Sequence, residues 1–278
     1  MRRAAIRWYG GKHRLASKII EHFPPHHHYV EPYSGGGSIL LAKSRSAAET
    51  YNDLDGGVVG FFKCLRDDPE KLVRLIDLTP FSLAEFDQAL REPVTGEPFE
   101  DARRFYVRAQ QGRAGGSAKY RSGWRRYKTA AGNTPPAVTW DRIEHLHQVA
   151  RRLKGVQIEQ SPALEVIARY DKPSTLFYLD PPYPLECRSR QWGNGGYKHE
   201  MTTADHYALG KVLHEIEGMA IISCKHCPMY DTMYADWQAI ELQAYYDGNR
   251  PATEVIWLSP GIQAAQSAAE MTQQRRLL

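Results

Sequence analysis

The residues with the clearest chemical capacity are Asp180-Pro181-Pro182-Tyr183, directly after the strand-like run Phe177-Tyr178-Leu179. A carboxylate in such a turn accepts a hydrogen bond from an amino group. The two prolines remove backbone donors and stiffen the turn. A neighbouring backbone carbonyl is then free to accept the amine's second hydrogen, and Tyr183 offers a ring face to a planar base. Two acceptors pull an amino nitrogen toward tetrahedral geometry and localise its lone pair. The set suits a neutral exocyclic amine attacking an electrophilic methyl group.

A second constellation is Tyr29-Val30-Glu31-Pro32-Tyr33-Ser34-Gly35-Gly36-Gly37, followed by Asp53. Ligands of open parallel sheets bind beyond the carboxyl ends of strands, and glycines after the first strand let a cofactor approach the backbone. A carboxylate after the next strand is placed to hold ribose hydroxyls. This layout fits any adenosine-containing cofactor. The third glycine of G-x-G-x-x-G is replaced by Leu40, which argues against a nicotinamide dinucleotide. A third element, Arg7-Trp8-Tyr9-Gly10-Gly11-Lys12, lacks the spacing of a P-loop.

Three blocks must position these groups. Residues 1–75 alternate strand and helix patterns, with strands around Tyr29–Val30 and Glu49–Asn52, a helix-compatible run for which Ser38 is the candidate N-cap, and a helix after Asp53. Residues 76–155 read as mostly helical, with stretches at Leu83–Leu90, Ala102–Gln111 and Trp140–Leu153. Residues 156–260 return to the first rhythm: strands at Thr175–Leu179, Ala220–Ser223 and Glu254–Leu258, and a helical pattern from Thr203 to Glu217. The alternation predicts a parallel α/β sheet, formed by 1–75 and 156–260, that carries an inserted domain. The Gln/Ala-rich tail, 261–278, reads as frayed or disordered.

Composition excludes several classes. The 278 residues are 42 % hydrophobic and 24 % charged, as in a globular protein, and no apolar run approaches the ~20 residues of a membrane span. The basic N-terminus lacks the apolar run of a signal peptide, so the expected location is cytoplasmic. Four cysteines are too few for a disulfide scaffold. Cys224-Lys225-His226-Cys227 lacks a second ligand pair at zinc-site spacing, and it reads as two buried structural thiols at a strand end. His26-His27-His28 reads as the polar approach to a strand.

Taken together, the motifs resemble those of Dam-type DNA adenine-N6 methyltransferases. Arg7-Trp8-Tyr9-Gly10-Gly11-Lys12 is similar to that family's K-W-x-G-G-K, with Arg for the first Lys. Glu31-Pro32-Tyr33-Ser34-Gly35-Gly36-Gly37 is similar to E-P-F-x-G-x-G, with Tyr for Phe. Asn52-Asp53-Leu54-Asp55 resembles the ribose-binding motif, and Asp180-Pro181-Pro182-Tyr183 matches the catalytic motif unchanged. The resemblance spans residues 7 to 183 and implies a Rossmann-like, seven-stranded methyltransferase sheet with a mainly helical target-recognition insertion. It implies S-adenosylmethionine as the donor, held by Trp8, Tyr9, Gly11, Lys12, Glu31, Pro32, Tyr33, Ser34, Gly35, Gly37 and Asp53. Asp180 and the backbone carbonyl of Pro181 would accept from the target N6, with Pro182 shaping the turn and Tyr183 stacking on the base. Pro162-Ala163-Leu164-Glu165 falls where relatives approach the cofactor adenine. No metal is needed, because a sulfonium methyl is already activated.

The middle block suggests the partner. Residues 101–154 carry thirteen Lys/Arg and three Asp/Glu, a local +10 within an overall +4, so the remainder carries −6. Nine basic residues and no acid lie between Arg103 and Lys128, interleaved with aromatics. Such a stretch fits phosphates and base steps of double-stranded DNA. The candidates are Arg113, Lys119, Arg121, Trp124, Arg125, Arg126 and Lys128. A duplex base must be extruded to reach an enclosed site. The segment after Gly193–Gly196, with Tyr197 and His199–Thr202, is expected to close over it, and Arg188 and Arg190 are phosphate candidates on the same loop. The rival readings are the same transfer to cytosine N4, where Ser more often replaces Asp180, a non-catalytic DNA-binding module, and a nicotinamide oxidoreductase. A monomer or a weak dimer is compatible with the sequence.

Overall fold

The computed structural model describes residues 4–113, 115–116, 123–127, 134–188, 196–246 and 250–277. Lys119, Arg121, Lys128 and Arg190 lie outside them.

Seven strands form one sheet: β1 (His28–Glu31), β2 (Ala48–Asn52), β3 (Gln157–Glu159), β4 (Thr175–Leu179), β5 (Met219–Cys224), β6 (Gln238–Tyr246) and β7 (Arg250–Leu258). Their order is β3-β2-β1-β4-β5-β7-β6. The first five run parallel to one another. β7 runs antiparallel between β5 and β6, with which it forms a hairpin. β4 is buried at all five positions and β5 at all six, as expected of strands covered on both faces.

The strand order reverses between β1 and β4, and such a switch point opens a crevice at the carboxyl ends. The register pairs Val30 with Phe177, so the turn after β1 and the turn after β4 emerge side by side. The glycine-rich and Asp-Pro-Pro-Tyr segments, far apart in sequence, are thereby made neighbours.

The crossover from β2 to β3 contains the whole basic block. Helices Pro98–Gln111 and His145–Leu153 pack on helix Gly56–Asp67, and helices Leu83–Arg91 and Pro136–Trp140 pack on Pro98–Gln111. Phe61 stacks on Tyr106 with centroids 5.6 Å apart and lies 5.9 Å from Phe105. One continuous apolar core runs from the sheet through these helices, so the segment between β2 and β3 shares its core with the sheet. Glu49 on β2 ties the same regions electrostatically, accepting from Lys43 and from Arg152 of helix His145–Leu153.

Three local expectations change. The helix expected from Trp140 to Leu153 is two helices, separated by a turn at 141–144. Gly37, not Ser38, caps helix Ser38–Ala42, and its φ of +64° is a conformation glycine tolerates best. The tail predicted to be frayed or disordered instead forms helix Pro260–Leu277. Its Ala, Gln, Glu, Met and Arg residues are good helix formers, and fully buried Ile262 anchors the first turn. No described helix is long and apolar enough to cross a membrane.

Candidate active site

The switch point carries a cavity of about 520 Å³, a volume suited to a cofactor-sized ligand. It brings together Trp8, Tyr9, Gly11, Lys12, Glu31, Pro32, Tyr33, Ser34, Gly35 and Asp53 from the predicted cofactor set, and Asp180 and Pro182 from the predicted catalytic turn. Gly37 lies behind the wall as a helix cap, and Pro181 and Tyr183 are buried beside the cavity rather than lining it.

The glycine turn is held from beneath. Ser34 Oγ donates to the Glu31 carbonyl and accepts from the Asn52 amide, while Tyr51 Oη donates to the Gly35 carbonyl at 2.7 Å. Gly35 has φ +48°, and a Cβ there would stand 2.3 Å from Trp8 Nε1. A side chain at this position is therefore excluded both by backbone conformation and by the indole. Asn52 is fully buried and connects three turns. Its amide donates to the carbonyls of Pro32 and Ser161, and its oxygen accepts from the Ser161 amide at 2.9 Å.

Asp53 is oriented by two backbone amides, Gly35 N at 2.8 Å on one oxygen and Asp55 N at 2.8 Å on the other. Burial outweighs these hydrogen bonds and pushes its carboxyl up to about 6. Glu31 is deeper, accepts from Tyr29 Oη at 2.5 Å, and is pushed up to about 7 by burial. Ser161, the predicted 162–165 neighbourhood, Ile39, Tyr178 and Asp205 complete this side. Ser161, Ile39, Tyr178 and Asp205 escaped the sequence reading. Ser161 follows β3, so its place at a strand's carboxyl end was the available signal. The positive-φ glycine cradle, the oriented Asp53 and the cavity volume fit an adenosine-type cofactor.

On the opposite side, Asp180 receives Lys12 Nζ on both oxygens, at 2.7 and 2.8 Å, and Ser223 Oγ at 2.9 Å. Lys12 also donates to the Gly10 carbonyl at 2.9 Å and stands 4.9 Å from the centroid of the Tyr183 ring. Burial opposes its charge, but the carboxylates of Asp180 and Glu254 more than compensate and raise its pKa. Lys12 was read as a pocket-lining residue, and its ion pair with Asp180 was not foreseen. Tyr183 is only 8 % exposed, and its hydroxyl donates to Glu254 Oε2 at 2.6 Å. In this conformation the ring is covered, so the expected stacking face is not open to the cavity. Ser223 on β5 and Glu254 on β7 thus buttress the Asp180–Tyr183 turn.

The closing segment also differs from expectation. Residues 197–201 line the cavity, and Tyr197 packs edge-on against Tyr9 with centroids 5.2 Å apart. Lys198 reaches across to Asp55 at 2.8 Å. Arg188, read as a phosphate contact, is instead committed internally. Its Nε donates to the Tyr183 carbonyl, and both terminal nitrogens hold Glu200 at 2.7 and 2.8 Å. Glu200 in turn accepts from the Tyr197 amide. The bidentate pair fastens the lining segment to the catalytic turn.

In the basic hairpin, Gly112 bridges to Trp124. Trp124 packs on Phe81 with centroids 5.0 Å apart and donates to Gln111, so it belongs to the insertion's own packing rather than to an exposed contact face. Arg125 is half-buried and donates to the Gln110 carbonyl, whereas Arg113, Arg126 and Tyr127 are exposed. Arg7 fastens this hairpin to the cavity rim by donating to the carbonyls of Gly112 and Arg113.

Residues 8–247 match the family model of D12 class N6 adenine-specific DNA methyltransferases. The chain belongs to this family. It is similar to DNA adenine methylases from two strains of Vibrio cholerae serotype O1, each 32 % identical over 73 residues. That stretch is 26 % of this chain and 25 % of each relative, so the similarity spans about a quarter of the relatives' length. A seven-stranded sheet with β7 antiparallel beside β5 is consistent with the methyltransferase fold expected of a D12 member.

Proposed function

We propose that the chain transfers a methyl group from S-adenosylmethionine to N6 of an adenine extruded from double-stranded DNA. The observation that carries this reading is Asp180. Its carboxylate faces the same cavity as Gly35 and Asp53, and already accepts two hydrogen bonds from a nitrogen donor.

The donor supplies a methyl group activated by its sulfonium. Asp53 would hold the ribose hydroxyls, the Gly35 turn would admit the donor to the backbone, and Tyr33 and the 162–165 segment would flank it. On the acceptor side, the Lys12 ammonium stands in for the target amine. An incoming adenine would displace Lys12 from Asp180 and uncover the face of Tyr183. Asp180 would then accept one N6 hydrogen and the Pro181 carbonyl the other, localising the nitrogen lone pair for attack. The nitrogen's surplus proton would leave through the Asp180 carboxylate or to solvent. Stacking on Tyr183 would offset roughly 1–3 kcal/mol of the cost of extruding the base.

The exposure of Arg113, Arg126 and Tyr127 supports the basic stretch as the duplex-facing surface. The decisive experiment incubates the purified chain with S-adenosylmethionine and unmethylated plasmid DNA, then analyses the nucleosides by mass spectrometry. N6-methyldeoxyadenosine is the expected product. N4-methyldeoxycytidine, or no methylated nucleoside, would overturn the reading.

A further inference from the structure

Three of the four cysteines, from separate parts of the chain, meet behind the catalytic turn. Cys187 closes the short 3-10 turn Leu185–Cys187, just after Asp-Pro-Pro-Tyr. Cys224 ends β5, and Cys227 precedes helix Pro228–Met233. Their sulfurs all lie within 4.8 Å of one another. Cys224 and Cys227 are buried, Cys187 is half-buried, and all three are free thiols. A tetrahedral zinc–thiolate centre has zinc–sulfur bonds of about 2.3 Å, which corresponds to sulfur–sulfur edges of roughly 3.8 Å. The triangle is thus close to that of a zinc face. A disulfide would use only two of the three.

A second observation points to a fourth ligand. His206, 1 % exposed on helix Thr203–Glu215, has Nδ1 at 3.0 Å from Tyr230 Oη. Its Nε2 is buried and has no hydrogen-bond partner among the described residues. The His206 ring nitrogens do not lie within 4.8 Å of all three sulfurs, so ligation requires the ring to move toward them. A buried imidazole nitrogen without a partner is costly, and a metal is one of the few things that would satisfy it. An imidazole whose other nitrogen is fixed by a hydroxyl has the arrangement of a zinc-ligating histidine. Cys224-x-x-Cys227 supplies the usual close ligand pair, and the fold, not the sequence spacing, supplies Cys187 and His206.

We propose that Cys187, Cys224, Cys227 and His206 Nε2 bind a single Zn2+ as a structural site. Three soft thiolates with one imidazole select zinc over hard cations. On binding, the three thiols become thiolates and release their protons to solvent, while the imidazole enters neutral. The imidazole completes the fourth corner by moving toward the sulfur triangle. The ion takes no part in methyl transfer. It fastens the exit of the catalytic turn to β5 and to helix Thr203–Glu215. Arg188, next in sequence to Cys187, and Glu200, just before that helix, are thereby held in the clamp that lines the cavity.

The test uses the whole 278-residue chain, reduced, stripped of metal and titrated anaerobically with Co2+. One Co2+ per chain should bind, with sulfur-to-cobalt charge-transfer bands in the near ultraviolet and the visible d–d bands of a tetrahedral site. Zn2+ should bleach them stoichiometrically. Cys187→Ser should lose stoichiometric binding. Its half-exposed position keeps folding intact, which circular dichroism of the metal-free proteins would verify. His206→Ala should keep the charge-transfer bands and shift the d–d envelope. Absence of stoichiometric binding, or a Cys187→Ser spectrum equal to wild type, would overturn the site. An unchanged d–d envelope in His206→Ala would overturn the four-ligand assignment. Reduced protein that ignores cobalt but readily forms a disulfide among these thiols would make the cluster a redox pair instead.

Discussion

The two sides of the cavity are prepared differently. On the donor side, Asp53 is aimed by the Gly35 and Asp55 amides, and no described side chain donates to its carboxylate. On the acceptor side, Asp180 is already engaged on both oxygens by Lys12 and on one by Ser223, and the ring of Tyr183 is covered. One half is ready for its ligand, whereas the other is held by an internal substitute. The difference follows from solvation. A partly open carboxylate beside backbone amides is tolerable when unliganded, but a carboxylate and a buried ammonium stabilise each other only as a pair. The donor side therefore needs little rearrangement, and the acceptor side must exchange one amine for another.

The largest expected effect breaks the acceptor side alone. Asp180→Asn keeps the shape of the turn but removes the ionised acceptor. Methyl transfer should fall by at least about 10²–10³-fold, the usual cost of losing one aimed polar group at a reacting atom. Affinity for S-adenosylmethionine should stay within several-fold, because the target amine is no part of the donor. Tritium transfer and equilibrium binding read the two quantities separately. Substantial residual transfer would remove Asp180 from the chemistry.

Asp53→Ala should give the mirror result. Losing a charged hydrogen bond to a ribose hydroxyl costs roughly 1.5–3 kcal/mol, or about tenfold to a hundredfold in donor affinity. Transfer measured at saturating donor should recover much of its rate. An unchanged dissociation constant would move the ribose away from Asp53, with Asp55 the next candidate.

A pH titration sharpens the same point. In the ligand-free protein the Asp53 carboxyl sits at about 6 because of burial. The ionised form is the acceptor, so binding requires the proton to be off. Donor affinity should be level at neutral and alkaline pH and fall by about tenfold per unit below about 6. Asp53→Asn should bind weakly throughout and lose the inflection. That variant distinguishes Asp53 from Glu31, whose buried carboxyl at about 7 would leave a residual inflection of its own.

The legible parts of this site were local. Gly35, Asp53 and Asp180 each follow a strand in a turn whose composition already implies its use, and the seven-stranded sheet followed from the family resemblance. The illegible parts were partnerships across long sequence distances. Lys12 and Asp180 are 168 residues apart, and Tyr183 and Glu254 are 71 apart. No periodicity encodes such pairs, because they arise only when β1, β4, β5 and β7 are laid side by side. The Cys-x-x-Cys segment read as two structural thiols for the same reason, since Cys187 reaches it only through the fold. The Arg188 clamp was not foreseen because a basic residue on such a loop serves equally as a phosphate contact or as a clamp. Only the position of Glu200 distinguishes them. The tail helix was missed by weighing polarity above helix propensity.

The smallest expected effects compare Arg126 and Arg113 with Arg188. The first two are exposed on the hairpin, while Arg188 is bound to Glu200 and the Tyr183 carbonyl. Each of Arg126→Ala and Arg113→Ala should reduce the magnitude of the log–log salt slope of DNA binding by about 0.9, the signature of one lost phosphate contact, with donor affinity unmoved. If either arginine instead reads a guanine, its variant should lose about 1–3 kcal/mol of discrimination at one base position while the slope barely changes. Arg188→Ala should leave the slope alone and lower the transfer rate, because it loosens the segment that carries Tyr197 and Glu200 over the cavity. Fluorescence anisotropy with a labelled duplex at several salt concentrations measures the slopes. Normal slopes in both hairpin variants would reduce the basic stretch to a solvated face. A reduced slope in Arg188→Ala would mean that this guanidinium leaves Glu200 for a phosphate when DNA binds, so that the clamp itself is part of the duplex contact.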